Sequence, residues 1–197
     1  MNVYLDNAST SFPKPKAVCD SIYNFLANIG GNSGRSNHTN ALESNRYVFD
    51  TRENIASFFN FPKIENVIFT NNITSSLNIL INGILKKGDH VITSSIEHNS
   101  VIRPLWNLKE SNIIDLDITE ANSLGIINVE SIKALIKPNT KLIILTHASN
   151  VLGTIQPIKE IGKLCKENNI FFILDSAQSA GVLSVDFSEL NLSALTF

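Results

Sequence analysis

An α/β fold, a mainly parallel sheet flanked by helices, is predicted by three features of the sequence. Short apolar runs recur between residues 66 and 175 with helical patterns between them, as strand–helix–strand crossovers require. The runs are built of Val, Ile, Leu and Phe without polar alternation, which suits strands covered on both faces. After the first run, Leu77, Leu80, Ile81, Ile84 and Leu85 recur at helical spacing, a stripe that must face a sheet.

In chain order, residues 14–28 and 36–60 read as two helices joined by the glycine-rich stretch GGNSGRSN. That joint is not a nucleotide loop, because it follows a helix and lacks the G-x-G-x-x-G spacing. GILKKGD, residues 83–89, fails as a P-loop because Asp89 stands where lysine is needed. NVIFT (66–70), HVITS (90–94), NIIDLD (112–117), KLIILTH (141–147) and IFFILD (170–175) read as the strands. PIKEIGKLCKEN places Pro157 at a first helical position and leads directly into the last of them. SALTF (193–197) reads as the start of a further buried strand, and a sheet stopped there would present an apolar edge, so a chain cut short is expected. With no repeat or low-complexity tract, residues 1–60 form an amino-terminal helical segment leading into one larger domain over 61–197.

Composition narrows the function. The 197 residues are 43% hydrophobic and 17% charged, enough for one sizeable core. A formal net charge of −2 with dispersed Lys and Arg provides no basic stripe for a phosphate backbone, which argues against nucleic acid. No window stays apolar long enough to span a bilayer, and Met1 to Asp6 do not open a signal segment, so a cytoplasmic protein is expected. Cys19 and Cys165 sit on helical stripes with apolar neighbours and read as small core residues, neither a disulfide pair nor a metal site.

In an open parallel sheet, ligands bind beyond the carboxyl ends of the strands, so the residues after each run read the site. NNITSS, residues 71–76, offers hydroxyls and backbone N–H groups at a helix start, a phosphate cradle that helix capping alone would also explain. His98, in the turn after HVITSS, is a cap or a ring that can stack on a flat ligand and carry protons. Asn150 follows KLIILTH in a turn where asparagine commonly bonds its own backbone. IFFIL delivers the acid Asp175 out of a buried strand, with the amide of Gln178 three residues on. A carboxylate there needs a cation, because burial without one costs several kcal/mol, roughly. One ligand meets all four strand ends: pyridoxal 5'-phosphate, flat and phosphorylated, with a protonatable ring nitrogen for Asp175.

YLDNASTSFPKP, NNITSSLN, EHNSVIRPLW, THASNVLGTIQPI and ILDSAQSAG together resemble, in order and spacing, the signature segments of the class V aminotransferases of the type I pyridoxal phosphate fold, and among them the cysteine desulfurases. The resemblance covers essentially the whole chain and implies the large domain of that fold, incomplete at its end. It implies Asp175 on the pyridine nitrogen, Gln178 and Asn150 near the phenolic oxygen, and His98 stacked on the ring as the one catalytic residue present. It also implies Thr74 and the backbone of Ile73 on the phosphate, with the Ile73 side chain and Asn72 departing from the family pattern. GRSNH (34–38) resembles an entrance loop. The Schiff-base lysine would follow SALTF, and the persulfide cysteine would lie further on. The implied activity is release of sulfur from cysteine to a sulfur-acceptor protein, in a homodimer. Selenocysteine cleavage, amino-group transfer and a catalytically inactive fragment remain alternatives.

Overall fold

In the computed structural model, which describes residues 3–34 and 37–197, the chain divides into two compact units, Met1–Ile68 and Phe69–Phe197. In the first, α1 (Lys16–Asn24) runs on through a π turn, Phe25–Ile29, and is followed by α2 (Thr39–Phe58) and a 3-10 turn, Ile64–Asn66. The rings of Phe25 and Tyr47 meet edge to face, 5.6 Å between centroids. His38 caps α2 by accepting the Ala41 N–H at Nδ1. Arg35 and Ser36 of the GRSNH stretch lie outside the described residues.

Two expectations fail in this region. The run 66–70 is not a strand: Asn66 ends the 3-10 turn, and residues 67–70 join no sheet, with Ile68 and Phe69 exposed. β-branched and aromatic residues supply the propensity, but a strand also needs a neighbour to take its N–H and C=O groups. The sheet offers this run no neighbour among the described residues. Cys19 is exposed rather than a core residue, because α1 buries no side chain and turns the Cys19, Ile22 and Leu26 stripe to solvent.

The second unit runs α3 (Ile73–Ile84), β1 (Asp89–Ser94), α4 (Asn99–Glu110), β2 (Ile114–Thr119), α5 (Val129–Leu135), β3 (Thr140–Thr146), α6 (Ile158–Glu167), β4 (Phe171–Asp175) and β5 (Ala194–Thr196). The strands lie in the order β2-β1-β3-β4-β5 and every pair is parallel, so all carboxyl ends share one edge. The expected α/β architecture, a parallel sheet flanked by helices, is therefore present.

Each helix arises from its sequence. The stripe on α3 buries Leu77, Ile81 and Leu85, which join Val101 and Leu105 of α4 and Val91, Leu142, Ile144 and Ile173 of the sheet in one core. Residues of opposite parity, Ile92, Ile143 and Phe172, are fully buried too, so the sheet is covered on both faces, as its unbroken apolar runs require. β2 starts two residues later than the run suggests, because Asn112, at φ 53°, still belongs to the turn that ends α4. As the edge strand it exposes Asp115, a charge that discourages further pairing. The short α5 carries too few turns for a legible stripe and is marked only by its cap, Asn128, which accepts the Glu130 N–H at 2.9 Å.

Gly162 of α6 is buried where the helix meets the chain ahead of β5: an added Cβ would stand 2.0 Å from the Leu190 carbonyl oxygen. The obstacle is backbone, which cannot rotate away. Gly162→Ala is therefore expected to lose about 1–3 kcal/mol of stability despite alanine's better helix propensity. Gly83→Ala in α3, where a Cβ would meet nothing within 4 Å, is the control and should gain up to about 1 kcal/mol. Equal denaturation midpoints for the two variants would refute this account of the packing.

Candidate active site

Parallel pairing sets the ends of β1, β3 and β4 side by side, with Thr146 in register with Asp175. Asp175 is 3% exposed. Burial pushes its carboxyl up, and the Ala177 N–H, 3.0 Å from Oδ1, and the nearby His98 offset part of that effect. Gln178 is half-buried in the turn just beyond. From the end of β3, His147 donates its main-chain N–H to the Asp175 carbonyl, and its Nδ1 lies 2.8 Å from Ser179 Oγ. Burial lowers the His147 pKa, favouring the neutral ring.

His98 caps α4. Its Nδ1 accepts the Ser100 N–H at 3.1 Å, and a main-chain N–H can only donate, so the ring proton sits on Nε2. The residue is exposed, which leaves ring and Nε2 accessible while the cap fixes the side chain. Of the two readings the sequence left open, the structure shows the cap, and it holds the ring near Asp175.

Glu97, one residue earlier, escaped the reading of the sequence. Its Oε1 accepts from Ser94 Oγ at the end of β1 and from the Thr146 N–H, 3.0 Å away, at the end of β3. Oε2 is buried with no hydrogen-bond partner among the described residues. Desolvation, chiefly, and then the Asp175 charge push this carboxyl up to about 8, against the two hydrogen bonds to Oε1. The available signal was an acid immediately before His98 and three residues after a strand's last serine.

Ile73 and Thr74 are the first two residues of the twelve-residue α3. Asn72 caps it by accepting the Ser75 N–H at 2.9 Å, and the N–H groups of Ile73 and Thr74 have no acceptor among the described residues. Two orphan donors at the positive end of a helix dipole are suited to an anion. Asn150 is exposed in the turn after β3. That turn is held by Ser149, whose Oγ accepts the N–H groups of Val151 and Leu152 at 3.3 and 3.2 Å. The Asn150 amide has no partner among the described residues.

Cys165 is fully buried and its thiol is pushed up to about 12 by desolvation, as its core reading requires. A thiol reagent is expected to modify the native protein once, at exposed Cys19, and to reach Cys165 only on unfolding. Mass spectrometry of the native adduct checks this, and rapid double labelling would contradict it. Among the described residues no group of three or more His, Cys, Asp and Glu is placed to hold a metal ion, and no helix is long and apolar enough to cross a membrane.

Comparison with known proteins gives one consistent result. The probable cysteine desulfurase of Borreliella burgdorferi is 35% identical over 200 residues, 99% of this chain and 47% of that protein. The probable cysteine desulfurase of Methanothermobacter thermautotrophicus is 34% identical over 94% of this chain and 46% of its own length. Among solved structures, the apo cysteine desulfurase of Thermococcus onnurineus superposes with a TM-score of 0.91 at 30% identity, over 98% of this chain and 48% of that one. SspA in complex with cysteine superposes with a TM-score of 0.88 at 32% identity, over 98% and 56%. The chain thus spans about half the length of the relatives it matches. The model of the aminotransferase class-V family matches residues 3–197, and with a parallel sheet that presents its polar residues at one edge, the chain belongs to that family.

Proposed function

We propose that this chain carries the pyridoxal 5'-phosphate-binding residues of a cysteine desulfurase-like enzyme. Asp175 carries the reading: a carboxylate buried at the end of β4, with the Ala177 N–H on Oδ1, suits a cationic ring nitrogen. The other residues fit the same ligand. The unmatched N–H groups of Ile73 and Thr74 suit its phosphate, exposed His98 its ring face, and the amides of Asn150 and Gln178 its phenolic oxygen. When bound, pyridoxal 5'-phosphate supplies an electron sink for bond cleavage at an amino-acid substrate.

The residues of this chain hold and orient. Asp175 keeps a proton on the ring nitrogen, the α3 terminus anchors the phosphate, and His98, its Nδ1 held by the cap, offers its ring face and a hydrogen-bond donor at Nε2. The kinship with cysteine desulfurases favours cysteine as substrate, with alanine released and sulfur passed to a protein acceptor. It favours likewise a homodimer in the cytoplasm and a role in iron-sulfur cluster assembly. The deciding experiment measures sulfide and alanine release from cysteine by the gene product containing this segment, with pyridoxal 5'-phosphate present. Keto-acid consumption without sulfide would assign amino-group transfer instead, and selenide release from selenocysteine alone would assign a selenocysteine lyase.

A further inference from the structure

Glu97 stands outside the set of residues assigned to the cofactor, yet it is built into the same region. Its Oε1 ties the end of β1, through Ser94 Oγ, to the end of β3, through the Thr146 N–H. Oε2 is buried with no hydrogen-bond partner among the described residues. The next residue in the chain is His98, and Thr146, whose N–H Glu97 accepts, is in register with Asp175 at the end of β4, so the Asp175 charge opposes that of Glu97. Two carboxyl groups in one dry region cannot both ionise cheaply, so one keeps its proton. Desolvation opposes both charges first; Asp175 has the Ala177 N–H and His98 to favour its ionised form, whereas the two donors to Glu97 both go to Oε1, Oε2 is buried without a partner among the described residues, and the Asp175 charge opposes its ionisation.

We propose that Glu97 is a positioning residue of this site that shares one negative charge with Asp175, so that a cation placed against Asp175 releases the Glu97 proton to solvent. The proton leaves Oε2, and Oε1 keeps both donors, so the tie between β1 and β3 survives while the local charge is restored. Of the other titratable groups on the packed elements, His98, bonded to Ser100, and His147, bonded to Ser179, lie at these strand ends; Asp89 and His90 of β1 and Lys141 of β3 lie at the opposite ends of their strands, and α4 carries Arg103, Lys109 and Glu110. The identity of the cation, the ring nitrogen of pyridoxal 5'-phosphate, rests on the function proposed above; the charge sharing does not.

Carbon-13 NMR of the Glu97 carboxyl in the 197-residue protein tests the sharing without ligand. The titration midpoint is expected near 8 in the wild type and lower, by up to about one pH unit, in Asp175→Asn, which keeps an acceptor for the Ala177 N–H. Equal midpoints in the two proteins would overturn the proposal. Pyridoxal 5'-phosphate is then added at about pH 7.5, below the expected midpoint, to the gene product that contains this segment, as wild type and as Glu97→Gln, with proton release read by an indicator dye. The wild type should release up to about one more proton per bound ligand, and equal release would also overturn it. If the two midpoints differ but neither protein binds pyridoxal 5'-phosphate, the cofactor reading fails and the charge sharing stands.

Discussion

Asp175→Asn is expected to leave the protein folded while lowering turnover of cysteine by about two orders of magnitude or more in the gene product that carries this segment, the scale on which aimed electrostatic groups act. Asparagine keeps the shape and the acceptor for the Ala177 N–H but cannot hold a proton on a pyridine nitrogen. Without that proton the ring loses its capacity as a sink, whereas on the proposed function the α3 terminus and His98 would still hold it. Cofactor absorbance should therefore persist while kcat falls. Ligand-free stability should move the other way, because burial already works against the ionised Asp175 and the amide removes that strain. A functional acid is commonly held at the expense of stability. Wild-type kcat in Asp175→Asn, or a lowered melting temperature of the ligand-free variant, would make the carboxylate a structural group.

The separation between what the sequence disclosed and what it hid reflects the range of the interactions concerned. β1, β3 and β4 could be read because a strand covered on both faces needs an unbroken apolar run, and α3 because its stripe has a period. The run at 66–70 misled because composition reports burial preference and says nothing of whether a neighbouring strand exists. Cys19 misled for the same reason: its stripe is amphipathic, but the partner surface is not in the pattern. Candidate site residues were legible as polar groups that strand ends deliver, at His98 and Asp175. Glu97 was hidden because its role comes from Ser94 and Thr146, and the second of these is 49 residues away along the chain. Only the fold makes that carboxyl an isolated one.

The pH dependence of stability offers the second large effect, and Glu97→Gln isolates it. In the folded protein the carboxyl keeps its proton up to about 8, against an ordinary value of 4.5. Between those values the folded state binds more protons than the unfolded state, so stability falls as pH rises, by at most about 1.4 kcal/mol per unit, and levels off above the folded value. The stabilisation is thus complete below 4.5 and lost as pH passes through 8. Asp175 and His147 are shifted as well, so the wild-type curve alone is a composite. Glutamine retains an oxygen for Ser94 Oγ and the Thr146 N–H and cannot ionise, so the difference between the two proteins reports Glu97. At about pH 5 the variant should match the wild type within about 1 kcal/mol, the net worth of one hydrogen bond. At about pH 9 it should be the more stable by about 3–4 kcal/mol. Glu97→Ala should be destabilised at about pH 5 by about 1–3 kcal/mol, because the Thr146 N–H and Ser94 hydroxyl lose their acceptor. Denaturant midpoints across this pH range, roughly 5 to 9, read all three proteins, and parallel curves for wild type and Glu97→Gln would mean that Glu97 is ionised throughout.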